Sequence, residues 1–195
     1  MPLKNSPDTD QQLWLAFKRG DHHAFTQIIQ RYFKPLFIYA IRLNHNEDLV
    51  RDCIQDVFCE CWKKREVISY AESVKSYLFT AVRNRIYREQ KKWSNTIELD
   101  NACFFDAHIS IETQIIEDQD TRELKNKFEK LLNNMPARQK EILYLRFYEN
   151  MDYERIAKIM GLNKQVAYNL LHKSVLRLRK DWVEVLFATI FLHLM

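Results

Sequence analysis

Tyr153-Glu154-Arg155-Ile156-Ala157-Lys158-Ile159-Met160-Gly161-Leu162-Asn163 is the stretch whose reading decides the fold. Ile156, Ala157 and Met160 recur at helical spacing and give a short helix one apolar face. Gly161 supplies the left-handed conformation that ends such a helix. Leu162 can tuck into the core, and Asn163 can cap a following helix that starts at about Lys164. The small Ala157 lets that second helix approach closely. This ordered set is the pattern of a helix-turn-helix, whose second helix enters the major groove of DNA.

In that second helix Val166 or Ala167, Leu171, Val175 and Leu178 are expected to face inward. The outer face would carry Lys164, Gln165, Tyr168, Asn169, His172 and Lys173, with Arg177, Arg179 and Lys180 continuing its positive charge. Gln and Asn pair with adenine edges, and Lys reaches guanine or phosphate. A polar outer face alone would also fit an ordinary helical hairpin with a solvated side. The small residue, glycine, apolar residue and cap in sequence favour the DNA reader.

Working outward, Met135-Pro136 marks a helix start, since proline suits a first helical position. One helix is expected over 137–148 and another over 121–134. The segment 94–120 has no Lys or Arg and seven acids, and it reads as an acidic linker. Residues 1–93 carry 16 Lys/Arg against 11 Asp/Glu, and 121–195 carry 14 against 8. Two basic blocks thus flank an acidic connector, and basic blocks attract phosphate. With 2 Gly and 4 Pro in 195 residues, all-β and doubly wound folds lack the turn residues they need. The expectation is an all-α protein of two small helical domains.

In the first half, Phe25, Ile28, Ile29, Tyr32, Phe33, Leu36, Phe37, Ala40 and Ile41 follow a helical period, with Asp21 as N-cap. Pro35 predicts a kink or break there. A second helix is expected over 46–64, burying Leu49, Cys53, Val57 and Cys61 with Ile54, Phe58 and Trp62 beside them. A third is expected over 72–93 with Val74, Leu78, Ala81 and Val82 inside, after a short loop from Arg65 to Tyr70. Aromatic and basic residues interleave across this region: Trp62, Arg65, Tyr70, Tyr77, Phe79, Arg83, Asn84, Tyr87, Arg88 and Lys91. Rings that stack bases, beside cations that track phosphates, suit unpaired strands. Each single aromatic could equally be core.

Cys53, Cys59, Cys61 and Cys103 close no zinc-finger spacing, so neither a structural metal nor a disulfide is expected. No nucleophile elbow, P-loop, dinucleotide fingerprint or His-Glu-x-x-His stands in the chain, so no catalytic residue and no cofactor are expected. The polar N-terminus carries no signal peptide, and a cytoplasmic location is expected. After Glu184 the tail Val185-Leu186-Phe187-Ala188-Thr189-Ile190-Phe191-Leu192-His193-Leu194-Met195 has no acidic, Lys or Arg side chain. As a helix it would span about 16 Å, against about 30 Å for a bilayer core, so stable membrane insertion is not expected. Packing on the second domain and an interface for a partner both remain open for it.

Several motifs in one order resemble the extracytoplasmic-function sigma factors, the compact branch of the sigma-70 superfamily. They are Ala24-Phe25 with Tyr32, Asp52-Cys53-Ile54-Gln55-Asp56-Val57-Phe58 with Trp62, Tyr77-Leu78-Phe79 with Arg83-Asn84, Met135-Pro136-Ala137-Arg138-Gln139, and Leu145 to Asn150 before the helix-turn-helix. The resemblance covers roughly residues 11–180. It implies that Asp52, Gln55 and Asp56 contact core RNA polymerase. It implies that the region from Arg65 through Tyr70 to Arg83, Asn84, Tyr87, Arg88 and Lys91 recognises and opens the minus-ten element of promoter DNA. Lys164 to Lys173 would read the minus-thirty-five element. An anti-sigma factor is a further family expectation. Arg88, Tyr168 and Leu170 depart from the residues common in the family, so the bases read do not follow from the resemblance. The domains it implies are region two over 10–93, the linker over 94–120, region four over 121–182 and the apolar tail over 183–195. The competing function is a helix-turn-helix regulator that acts without polymerase, for which the Asp52, Gln55 and Asp56 set has no use. A third is an enzyme whose terminal helix-turn-helix only packs.

Overall fold

The computed structural model describes residues 7–68, 73–93, 104–106 and 130–193. Among these every regular element is helical, in keeping with the all-α expectation. The chain divides into two compact units with the principal boundary at Ala102–Cys103.

The first unit holds α1 (Pro7–Lys18), α2 (His22–Ala40), α3 (Glu47–Lys63) and α4 (Val74–Trp93). The helical period that starts at Phe25 gives no sign of α1. That helix is pinned by Trp14 and Phe17, 1% and 0% exposed. Burying a large apolar side chain is worth about 1.5–3 kcal/mol, so these two anchors suffice to dock a short helix. Asp10 on α1 adds a polar tie, accepting hydrogen bonds from Arg31 and Tyr32 on α2. Burial first, and the Asp10 carboxylate second, hold the Tyr32 hydroxyl well above the usual tyrosine range.

Asp21 caps α2 as expected, its carboxylate accepting from the backbone N–H of His23 at 2.8 Å and of Ala24 at 3.1 Å. A helix break at Pro35 does not occur: α2 runs uninterrupted from His22 to Ala40. An interior proline costs about 3 kcal/mol. Ile28, Tyr32, Leu36, Tyr39 and Ala40, all buried on the same helix, offset that cost.

Asn46 caps α3 through the Leu49 N–H at 3.1 Å. The buried row of α3 begins at Val50 rather than Leu49, which is only half-buried. The row Val50, Cys53, Ile54, Val57, Phe58, Cys61 packs toward α2 and α4. In α4 the inner row is Val74, Leu78, Phe79, Val82 and Ile86; Ala81 is half-buried.

In the second unit residues 130–133 are helical, followed by α5 (Ala137–Leu143), a π-helical turn (Tyr144–Tyr148), α6 (Tyr153–Met160) and α7 (Lys164–His193). The single helix expected over 137–148 is therefore α-helical only to Leu143. Buried in this unit are Leu132, Met135, Ile142, Leu145, Met151 and Ile156. The Tyr144 hydroxyl donates to the buried Glu149 carboxylate at 2.8 Å, which satisfies two polar groups that would otherwise be stranded inside. Phe105 is buried beside Tyr144, with ring centroids 5.7 Å apart. The rest of the expected linker, and 121–129 of the helix expected after it, lie outside the described residues.

The apolar tail continues α7 as helix through His193. Among the described residues, no helix is long and apolar enough to cross a membrane.

Candidate nucleic-acid interface

Asp152 caps α6 by accepting from the Arg155 N–H at 2.9 Å. Gly161 ends that helix with φ 65° and ψ 37°, the left-handed conformation expected of it. Asn163 opens α7, its side-chain oxygen accepting from the Val166 N–H at 2.8 Å. Ile156, Ala157 and Met160 before the turn and Ala167 after it are buried, so the turn is anchored on both sides.

The choice between Val166 and Ala167 falls on Ala167, which is 0% exposed while Val166 is 43% exposed. Val175 is not inside, at 40% exposed; Ser174 takes its place at 0%. Helical spacing explains this correction: 167, 171, 174 and 178 form one row, and residue 175 is turned about 100° from 174. The Ser174 hydroxyl donates to the Leu170 carbonyl at 2.7 Å, so it needs no outside partner.

Lys164, Gln165, Tyr168, Asn169, His172 and Lys173 all lie exposed on α7, on one broad face. Most are already engaged within the unit. Lys164 Nζ donates to Glu154 Oε1 at 2.7 Å, and this bond holds its ammonium above the ordinary lysine range. Gln165 Nε2 donates to Asn169 Oδ1 at 3.0 Å. The Tyr168 ring leans on Tyr153 with centroids 5.4 Å apart, and His172 meets it edge-on at 6.2 Å. The Arg146 guanidinium lies 5.5 Å from the Tyr153 ring centre. Arg177 is turned partly back, donating to the Asn134 carbonyl at 3.2 Å.

In the first unit the basic run of α4 wraps around its helix. Asn84, Arg88 and Lys91 are exposed, at the i, i+4 and i+7 positions of one face. Arg83 is not exposed: it is 8% accessible, on the row of buried Phe79 and Ile86, with its guanidinium 4.5 Å from the Tyr87 ring centre. Its burial sets Arg83 apart from the exposed Asn84, Arg88 and Lys91 of the same run. Tyr87 is half-buried against it. Arg65 stacks on Trp62 at 4.8 Å and donates to the Trp62 carbonyl at 3.0 Å. Tyr70 lies outside the described residues.

On α3, Asp52 and Gln55 are exposed. Asp56 is half-buried and ion-paired with Arg85 of α4. Arg85 also meets Glu60 at 3.2 Å and Glu89 at 3.4 Å. The Glu89 carboxyl is held below the usual carboxylate range, chiefly by its hydrogen bond from Lys92.

Gln55 also borders a groove of about 520 Å³ with Phe25, Ile29, Phe33, Phe58, Cys59, Trp62 and Lys63. Sequence reasoning missed this groove. Its signal is a second apolar row on α2: Phe25, Ile29 and Phe33 at i+4 spacing, one residue beyond the buried row Ala24, Ile28 and Tyr32. Among the described residues no cluster of three metal-ligating side chains occurs. Burial pushes the Cys53 and Cys61 thiols up to about 11.

Comparison with known proteins follows the division into two units. Residues 28–95 match the family model of Sigma-70 region 2, and residues 125–178 match that of Sigma-70, region 4. The RNA polymerase sigma factor YlaC of Bacillus subtilis is 24% identical over 162 residues, spanning 79% of this chain and 89% of that protein. The RNA polymerase sigma-H factor of Pseudomonas aeruginosa is 22% identical over 162 residues, spanning 78% and 83%. Among solved structures, the sigma factor RpoE of Bartonella quintana, in complex with the anti-sigma factor NepR, gives a TM-score of 0.59 at 24% identity over 81% of this chain and 96% of that one. CnrH in complex with the cytosolic domain of CnrY gives 0.56 at 16% identity over 88% and 96%. At these identities the structural likeness speaks for the fold.

Proposed function

The chain belongs to the sigma-70 family, and we propose that it is a compact sigma factor of the extracytoplasmic-function type, which binds core RNA polymerase and directs it to promoters. The observation that carries this reading is the order of two matched regions, region 2 over 28–95 and region 4 over 125–178, in one chain. A helix-turn-helix regulator that works without polymerase has no use for the first of them.

In this reading the first domain spans 10–93 and the second 121–182, joined by the acidic segment 94–120 and followed by the tail 183–195. Asp52, Gln55 and Asp56 contact core polymerase. Arg65, Tyr70, Asn84, Tyr87, Arg88 and Lys91 face the minus-ten strand, where aromatic rings stack on unpaired bases and cations follow the phosphates. The burial of Arg83 supports a positioning role, holding the Tyr87 ring, in place of direct contact. Lys164, Gln165, Tyr168, Asn169, His172 and Lys173 face the minus-thirty-five duplex in the major groove.

The chemistry of RNA synthesis belongs to polymerase, so the chain supplies no catalytic residue and holds no cofactor. It acts in the cytoplasm with its polymerase. An anti-sigma factor is its natural antagonist, and the apolar groove beside Gln55 offers such a partner a place to insert apolar side chains.

Run-off transcription with core polymerase tests the reading. Promoter-dependent transcripts are expected only when the protein is added. Failure of the purified protein to associate with core enzyme, with initiation unchanged in its presence, would overturn it.

A further inference from the structure

The hydrogen bond between Gln165 and Asn169 carries an inference about which base pair the second helix reads. A side-chain amide in water rotates freely and presents one acceptor and two donors. Here Gln165 Nε2 donates to Asn169 Oδ1 at 3.0 Å, one helical turn away, and both residues are exposed. Such i,i+4 amide pairs lower the freedom of both side chains. The bond uses one donor of Gln165 and one lone pair of Asn169. It leaves on Gln165 a carbonyl oxygen and one N–H, and on Asn169 two N–H and one lone pair. Exchanging the oxygen and nitrogen of both amides leaves the same inventory on the opposite residues.

The major-groove edge of adenine offers one donor, N6–H, and one acceptor, N7. It complements the pair on both counts. Guanine offers two acceptors, which the remaining N–H groups can meet, but it offers no donor, so the Gln165 carbonyl oxygen would lose its partner. Cytosine and thymine each fill half of the pair. The neighbouring side chain that would read guanine, Lys164, is held by Glu154 at 2.7 Å. Tyr168, between the two amides in sequence, is fixed against Tyr153 at 5.4 Å and so bounds the face on which the pair is presented.

We propose that Gln165 and Asn169 act as a single adenine-reading unit in the upstream promoter element, each amide orienting the other. This rests on the reading of α7 as the helix that contacts the upstream duplex.

The test uses holoenzyme reconstituted from core polymerase and the full chain. It is incubated with a duplex pool randomised across the upstream element, and the retained DNA is sequenced. Wild type, Gln165→Ala, Asn169→Ala and the double variant are compared, and circular dichroism checks that each keeps wild-type helicity. The expected result is one position at which wild type enriches adenine. Each single substitution lowers that enrichment by about fivefold or more at that position alone, and the double variant falls no further. Relaxation of two different positions by the two single variants would mean separate contacts and overturn the proposal. Retention of wild-type preferences by all variants would make the bond a helix stabiliser only and overturn it as well. A wild-type holoenzyme that retains no upstream sequence at all would overturn the underlying reading of α7, and this proposal with it.

Discussion

Arg85 of α4 is ion-paired with Asp56 of α3, so one of the carboxylates assigned to polymerase contact is already held by its own fold. Arg85 gathers Glu60 and Glu89 around the same guanidinium. Its side chain is 23% exposed and that of Asp56 is 50% exposed, so solvent screens part of the attraction. Replacing Arg85 by Ala is expected to lower stability by about 1 kcal/mol, read as a fall in urea midpoint at constant slope. The difference should shrink at high salt. Asp56→Lys, which also repels Arg85, is expected to weaken association with core polymerase about tenfold in a fluorescence competition assay. Equal losses of core affinity for Arg85→Ala and Asp56→Lys would mean that the carboxylate acts only through the fold.

Glu154 restrains Lys164 at the head of the second helix. Glu154→Gln should leave the ammonium free to meet a phosphate. The affinity of holoenzyme for promoter duplex is then expected to rise a few-fold, and the slope of log affinity against log salt to steepen by about 0.9. An unchanged slope would mean that Lys164 meets no phosphate in either protein.

Tyr87 is oriented by the buried Arg83. Stacking of a base on an aromatic ring is worth about 1–3 kcal/mol. Tyr87→Ala is expected to reduce promoter opening about tenfold, measured by permanganate reactivity of unpaired thymines, with duplex binding little changed. A parallel loss of duplex binding would place Tyr87 outside strand separation.

The thiols of Cys53 and Cys61 titrate at about 11 in the fold, against an ordinary value of 9.0, chiefly because burial disfavours the thiolate. Between those limits the unfolded chain has released its thiol protons while the native chain still holds them. Stability therefore falls as pH rises from about 9 to about 11. Tyr77, raised from 10.0 to about 12 chiefly by burial, extends the decline from pH 10 toward pH 12. Thermal melts across this range should show the decline, flattened in a Cys53→Ala, Cys61→Ala variant. Site-resolved alkylation at neutral pH should modify the exposed Cys59 long before the buried Cys53 and Cys61.

Gly161 adopts φ 65°, and a Cβ there would meet nothing within 4 Å. Any cost of substitution is therefore one of backbone conformation alone. Gly161→Ala is expected to destabilise the second domain by about 1–2 kcal/mol, and Gly161→Asn by less. Equal midpoints for the two variants in urea would count against this account.

What could be read from the chain and what could not divide along a physical line. Asp21, Gly161 and Asn163 act on backbone groups two to four residues away, and each stands in the role its type and position predict. The helix-turn-helix was legible because all its signals are local. The partnerships of Arg85 with Asp56 and of Lys164 with Glu154 each join two different helices, and no period announces them. Which members of the basic run are buried was not legible, because the run looks continuous in sequence, whereas on a helix successive residues turn by about 100°. Asn84 and Arg88 face water, and Arg83 shares the row of Phe79 and Ile86. The π-turn at Tyr144–Tyr148 was hidden for a related reason: it widens the helix without changing composition. The α1 helix escaped notice because two buried rings in a polar stretch make too short a pattern.

Lys164 and His193 stand at opposite ends of one unbroken helix of 30 residues, a rod about 45 Å long. A rod has a single axis and a single azimuth. Whatever grasps its greasy far end also sets the angle at which Gln165 and Asn169 are presented, because the near end cannot swivel by itself while the ladder of backbone bonds between them holds. Grip on the handle is thereby steering of the key.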